Sequence, residues 1–217
     1  MKFMLGLKAA LADQGRVDFV VCNANTLNFG SATFDVVIGR SILHHLVDFE
    51  STIARTAELL RPGGIAVFFE PILQGKIVPA LFAKLMLEAD SMAADQVLSQ
   101  EDRNRASAFV RHITKAKWYP QDAVSLGKIE DKYIFDLSDM ERLAEVAGYA
   151  GFSVHRREEP PLDPSYWTYF LQHMRILGID VGKLSRFKWI ADSFADTWGL
   201  MLRSQLVKPM NFLVFHK

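Results

Sequence analysis

Two adjacent histidines, His44 and His45, follow the segment Gly39-Arg40-Ser41-Ile42-Leu43 and are the residues of this 217-residue chain best suited to proton chemistry. A neutral imidazole can take a proton near neutral pH. The plainer role, packing and capping the helix that follows, is the readier one for both rings. Glu70 closes the apolar run Ile65–Phe69. A carboxylate at the end of such a run could bind a hydroxyl, act as a base, or serve structure alone. His112, Trp118 and Tyr119 are taken as pocket residues, although core packing suits Trp118 better. No metal site is expected: no third ligand stands at a helpful spacing from the His pair, and the chain has neither CxxC nor HExxH.

These side chains need a frame. Phe34–Gly39 reads as a strand, Phe49–Leu60 as a helix and Ile65–Glu70 as a second strand, joined through Arg61-Pro62-Gly63-Gly64. Pro62 pushes Arg61 out of helical geometry, and Gly63 accepts the positive φ of a type II turn. Together they make a βαβ unit of a parallel sheet. Upstream, Met1 to about Gln14 has helical composition, and Val17–Cys22 reads as a short buried strand. Downstream, helices are expected from Lys76 to Ser99, from Ser138 (as N-cap, with Glu141 completing a capping box) to about Gly148, from Pro164 to Leu177 and from Lys183 to Leu206. The stretch from Glu101 to Gly127 is more polar. Phe152–Glu158 and Asn211–His216 read as further strands. Tyr166, Trp167, Phe170 and Met174 recur at helical spacing, a pattern more often core than pocket.

Strands alternating with helices give an α/β fold. The helical insertions after Pro71 and Pro161 would cap the strands' C-terminal edge, where ligands bind in open α/β sheets.

Composition narrows the class. Half of the residues are hydrophobic, enough for a sizeable core. Lys+Arg and Asp+Glu balance at 25 each, which gives no electrostatic reason to expect nucleic acid. The single cysteine, Cys22, fits a reducing compartment. No apolar run is long enough to span a bilayer, and a cytoplasmic location is expected.

The ordered set Asn23-Ala24, Phe34-Asp35-Val36-Val37, His44-His45-Leu46 and Arg61-Pro62-Gly63-Gly64 resembles the second half of the cofactor domain of class I S-adenosylmethionine methyltransferases, and the match resembles the type 11/12 domains. The resemblance covers about Met1 to Glu70 well, and Leu137–Glu158 and the final strand more loosely. It implies a Rossmann-like sheet of seven strands in the order 3-2-1-4-5-7-6. Val17–Cys22 would be strand 3, Phe34–Gly39 strand 4, Ile65–Glu70 strand 5, Phe152–Glu158 strand 6 and Asn211–His216 strand 7. Strands 1 and 2, with their glycine-rich loop and acidic ribose anchor, have no counterpart, and an N-terminally incomplete copy is expected.

The resemblance also implies S-adenosyl-L-methionine as cofactor. The adenine position, usually an Asp, falls on Asn23 with Ala24 after it. Arg40 and Ser41 would lie beside the methionine and sulfonium, although an ordinary polar strand-to-helix connection fits them equally. The expected organisation is 1–73 as part of the cofactor core, 74–136 as a helical cap, 137–159 as core helix and strand, 160–207 as a second helical insertion and 208–217 as the last strand. The function implied is methyl transfer to a small molecule, with a homodimer possible. The competing reading is a methyltransferase-like remnant that acts by protein association. A nicotinamide-dependent enzyme is disfavoured, since there is no GxGxxG and the Pro-Gly-Gly turn enters a strand.

Overall fold

The structure is a computed structural model and describes residues 20–114, 131–155, 166–194 and 210–217. The helix expected at Met1–Gln14 and part of the strand expected at Val17–Cys22 lie outside these residues. So do Trp118 and Tyr119.

The order of elements is β1 (Phe34–Arg40), α1 (Phe49–Leu59), β2 (Leu60–Pro71), α2 (Leu73–Met92), α3 (Gln100–Thr114), α4 (Leu137–Val146), β3 (Gly151–His155), α5 (Tyr166–Ile176) and β4 (Met210–His216). Short 3-10 turns occupy Leu43–His45 and Val181–Phe187. The four strands form one sheet in the order β1-β2-β4-β3. β1 and β2 run parallel, Val37 opposite Ala66 and Gly39 opposite Phe68, while β4 is antiparallel to both its neighbours. This is the order expected for strands 4, 5, 7 and 6.

The β1–α1–β2 crossover is set locally. The Asp48 side chain caps α1 by accepting from the Ser51 N–H at 2.9 Å. At the other end Gly63 takes φ +80°, as the turn requires. Gly64 is held to glycine for a second reason: a Cβ there would stand 2.8 Å from the Asp35 carbonyl oxygen.

One face of the sheet packs on α1 and α4. Ala66, Phe68, Leu213 and Phe215 join Leu43, Ile53, Ala57, Met140 and Ala144 in a buried cluster. A second apolar cluster is built by α2, α3 and α5, with Phe82, Met86, Phe109, Trp167, Phe170 and Met174 inside it. Trp167, Phe170 and Met174 of the α5 stripe are therefore core, as their spacing suggested. Between α2 and α3 a fully buried Asp90 meets Arg103 at 2.7 Å.

Three local expectations differ. Residues 20–22 form no strand, and Cys22 is exposed rather than buried. Their apolar run lacks a neighbour: among the described residues, no strand pairs with the outer edge of β1, where Ile38 remains 76% exposed. Asp136, not Ser138, caps α4, and its carboxylate accepts from the Ser138 N–H at 3.0 Å. α2 begins at Leu73 and ends at Met92, so Pro79 sits inside it.

Candidate active site

β1 delivers its chain to the C-terminal edge of the sheet, and there the backbone turns sharply. Ser41 adopts φ +50°, a left-handed conformation that non-glycine residues rarely take, and its N–H donates to the Phe69 carbonyl at 2.9 Å. The 3-10 turn Leu43–His45 follows. Leu43 is fully buried and anchors the turn in the core.

Glu70, at the end of β2, holds that turn. It is 0% exposed. Its Oε1 accepts the N–H groups of Ile42 and Leu43, each at 2.9 Å, and its Oε2 lies 2.6 Å from His44 Nδ1. A buried carboxylate is sustained only where its lone pairs are met, and here they are. Glu70 thus acts on the backbone and on His44, which is the structural one of its three sequence-based roles.

His44 is itself buried. Its bond to Glu70 places the ring hydrogen on Nδ1 and leaves Nε2 as the nitrogen with a lone pair. That atom lies 3.5 Å from Asp131 Oδ1, and His45 Nδ1 is also 3.5 Å from the same oxygen. The two imidazoles are neighbours, with ring centroids 4.0 Å apart.

Asp131 is brought there by a chain segment distant in sequence. Phe135 bridges to Ile72, the Lys132 N–H donates to the His44 carbonyl at 2.8 Å, and the Tyr133 hydroxyl donates to the Val47 carbonyl at 2.9 Å. Lys76 on α2 acts on the same group. Burial lowers the pKa of Lys76, and the Asp131 carboxylate opposes that shift. On the last turn of α3, His112 is held below the usual imidazole range, first by burial and then by Lys76, with Asp131 again opposing. His173 on α5 is lowered by burial; its bond to the Tyr169 carbonyl at 2.9 Å opposes this, and Lys76 adds to it.

The remaining expected residues sit apart from this cluster. Asn23 is exposed, and its Oδ1 accepts from the backbone N–H of Asn25 at 3.0 Å and from its side-chain amide at 3.2 Å. The Ala24 carbonyl accepts from the Thr52 hydroxyl at 3.2 Å. Arg55 adds bonds to the carbonyls of Leu27 and Phe29, which ties this loop to α1. The Arg40 guanidinium is exposed and lies 6.0 Å from the centroid of the Phe69 ring. Asp131, Lys76 and His173 were missed by sequence reasoning, because nothing local to them signals that they meet His44 or one another.

An apolar cavity of about 400 Å³ lies between α2 and α3, lined by Leu73, Ile77, Ala80, Leu81, Val110 and Ile113, with Lys84 and Thr114 at its polar side. Neither His44 nor Glu70 lines it.

Residues 3–68, which contain β1, α1, the His pair and most of β2, match the sequence profile of the methyltransferase domain. This stretch belongs to a class I methyltransferase domain. Domains of that class use S-adenosyl-L-methionine as methyl donor. No curated protein matches the chain.

Among solved structures, the methyltransferase segment and the rest of the chain resemble phosphoethanolamine N-methyltransferase 2 of Haemonchus contortus, solved in complex with S-adenosyl-L-methionine. The identity is 16% and the TM-score 0.42, over 96% of this chain and 39% of that one. The YcgJ protein of Bacillus subtilis gives 14% and 0.44, over 100% and 79%. A SAM-dependent methyltransferase of Thermotoga maritima gives 10% and 0.41, over 96% and 68%. The chain thus spans about two fifths of the Haemonchus structure. Likenesses this distant bear on neither activity nor acceptor.

Among the described residues, no helix is long and apolar enough to cross a membrane.

Proposed function

We propose that this chain takes part in S-adenosylmethionine-dependent methyl transfer to a small-molecule acceptor, with His44 as the proton-accepting group. The observation that carries the reading is the Glu70–His44 pair at the C-terminal edge of the parallel strands, with His44 inside the segment that matches the methyltransferase domain and Glu70 two residues beyond its end. Methyl transfer from a sulfonium to an oxygen or nitrogen acceptor is an in-line displacement, and the acceptor loses a proton as the new bond forms. The protein's part is to align the acceptor and receive that proton. A neutral imidazole with its hydrogen fixed on Nδ1 offers Nε2 for this. His45 lies beside it at the same edge.

S-Adenosylmethionine would bind along Asn23, Ala24, Arg40 and Ser41. The acceptor would enter from the side of Lys76, His112 and Asp131, with the helices α2, α3 and α5 as its cap. Trp118 and Tyr119 stay candidates for the same pocket. A cytoplasmic setting and a homodimer accord with this reading.

A second reading is favoured by Asn23. Both acceptor positions of its Oδ1 serve Asn25, which leaves little capacity for an adenine amine. On that reading the chain is a non-catalytic relative that acts by association. Calorimetric titration with S-adenosylhomocysteine separates the two. Micromolar binding by the folded chain supports the enzyme, and its absence supports the remnant. Transfer of a labelled methyl group to a panel of small hydroxyl and amine acceptors then tests the activity.

A further inference from the structure

We infer that His44 Nε2, His45 Nδ1 and Asp131 Oδ1 form a binding site for a zinc-class divalent ion. Occupation of the site would withdraw His44 from proton transfer. The ion-binding half stands alone; only the inhibitory half rests on the function proposed above.

The geometry comes first. The three ligand atoms lie within 4.8 Å of one another, and each histidine nitrogen is 3.5 Å from the Asp131 oxygen. The edge of a tetrahedron with bonds of about 2.1 Å is about 3.4 Å, so an ion fits between these atoms with little side-chain motion. Asp131 is mostly exposed and His45 partly so, which leaves both able to make that adjustment.

The surroundings supply the support that metal-bound histidines need. A ligating imidazole usually donates its other N–H to a carboxylate, which fixes the ring and raises its basicity. His44 does this at 2.6 Å to a fully buried Glu70, and Glu70 is in turn held by two backbone N–H groups. Charge also favours the ion. Glu70 and Asp131 bring two carboxylates to the site. The donor set of two imidazoles and one carboxylate suits zinc and its late first-row neighbours over calcium or magnesium. Three protein ligands leave a fourth position open.

Ligation uses the lone pair of His44 Nε2, the same pair proposed to receive the acceptor's proton. The ion and the proton are therefore alternatives, and zinc would act as an inhibitor.

The test titrates the full chain with Co²⁺, followed by its visible absorption, with Zn²⁺ as competitor. The expected result is one tight equivalent with the strong band of a tetrahedral ion. Asp131→Asn and His45→Ala, each confirmed folded by circular dichroism, should weaken binding at least about tenfold. A rival histidine pair lies elsewhere: His155 and His216 approach the Ser153 hydroxyl at 3.1 and 3.0 Å. The double variant His155→Ala/His216→Ala should leave the affinity unchanged. Absence of saturable binding would overturn the site. So would binding that survives Asp131→Asn and His45→Ala but is lost in the His155/His216 variant. Binding of S-adenosylhomocysteine, measured in parallel, reads the proposed function separately. Cobalt binding without it overturns the methyltransferase reading alone, and the converse overturns the metal site alone.

Discussion

Glu70 Oε2 lies 2.6 Å from His44 Nδ1, and both side chains are inside the protein. The pair joins the ends of two neighbouring strands. One carboxylate thereby sets the shape of a turn and the tautomer of an imidazole. Glu70→Gln keeps the size of the side chain but replaces one acceptor oxygen with an amide. Methyl transfer should fall by about 10²-fold or more, while binding of S-adenosylhomocysteine changes little. His44→Gln should cost a similar factor. Steady-state rates set beside calorimetric affinities check both, and an equal loss in rate and affinity would count against a role in proton transfer.

The ion pair between Asp90 and Arg103 couples α2 to α3. Asp90 is fully buried, and its Oδ1 also accepts from the Val97 N–H at 2.9 Å. Arg103→Met would strand a buried carboxylate, and stability should fall by about 3 kcal/mol. Asp90→Asn in the same background removes the stranded charge and should restore part of the loss. Urea denaturation of the single and double variants measures this.

Acid should weaken the fold. Burial holds His173 below the imidazole's ordinary range, and His112 is shifted the same way. The unfolded chain, whose imidazoles titrate near 6.5, then binds more protons than the native one as the pH drops below that value. Stability present above pH 6.5 is therefore lost on acidification. His173→Phe should flatten the decline in melting temperature between pH 7.5 and 5.

Gly39 faces Phe68 across the parallel pair. A Cβ at this position would meet the Phe68 ring at 2.4 Å, so Gly39→Ala forces the ring or the strand to move. The cost should be about 1–3 kcal/mol, and Phe68→Leu in the same chain should recover some of it. Thermal melts of the single and double variants decide the matter.

Much of the sheet could be read from local chemistry. The apolar runs at Phe34–Gly39, Ile65–Phe69 and Asn211–His216 carry their own strand signal, and Pro62-Gly63 marks the end of the helix between the first two. Burial could not be read that way. Val20-Val21-Cys22 has the composition of an interior strand, yet interior position depends on a neighbour, and these residues are exposed. Asp136 displaced Ser138 as cap because the helix begins at Leu137, which places Ser138 inside its first turn, where its N–H donates to the Asp136 carboxylate. The His pair and Glu70 stood out by residue type. Their partner Asp131 did not, since its approach to His44 depends on the bridge between Ile72 and Phe135, a contact no spacing rule encodes.

The turn after β1 is fixed from three directions: by Leu43 in the core, by the Ser41 N–H on β2 and by Glu70 beneath it. A molecule arriving at this edge meets a surface already in its final shape. Association should then follow a single exponential whose rate rises linearly with ligand concentration. A slow, concentration-independent phase would belong to some other part of the chain.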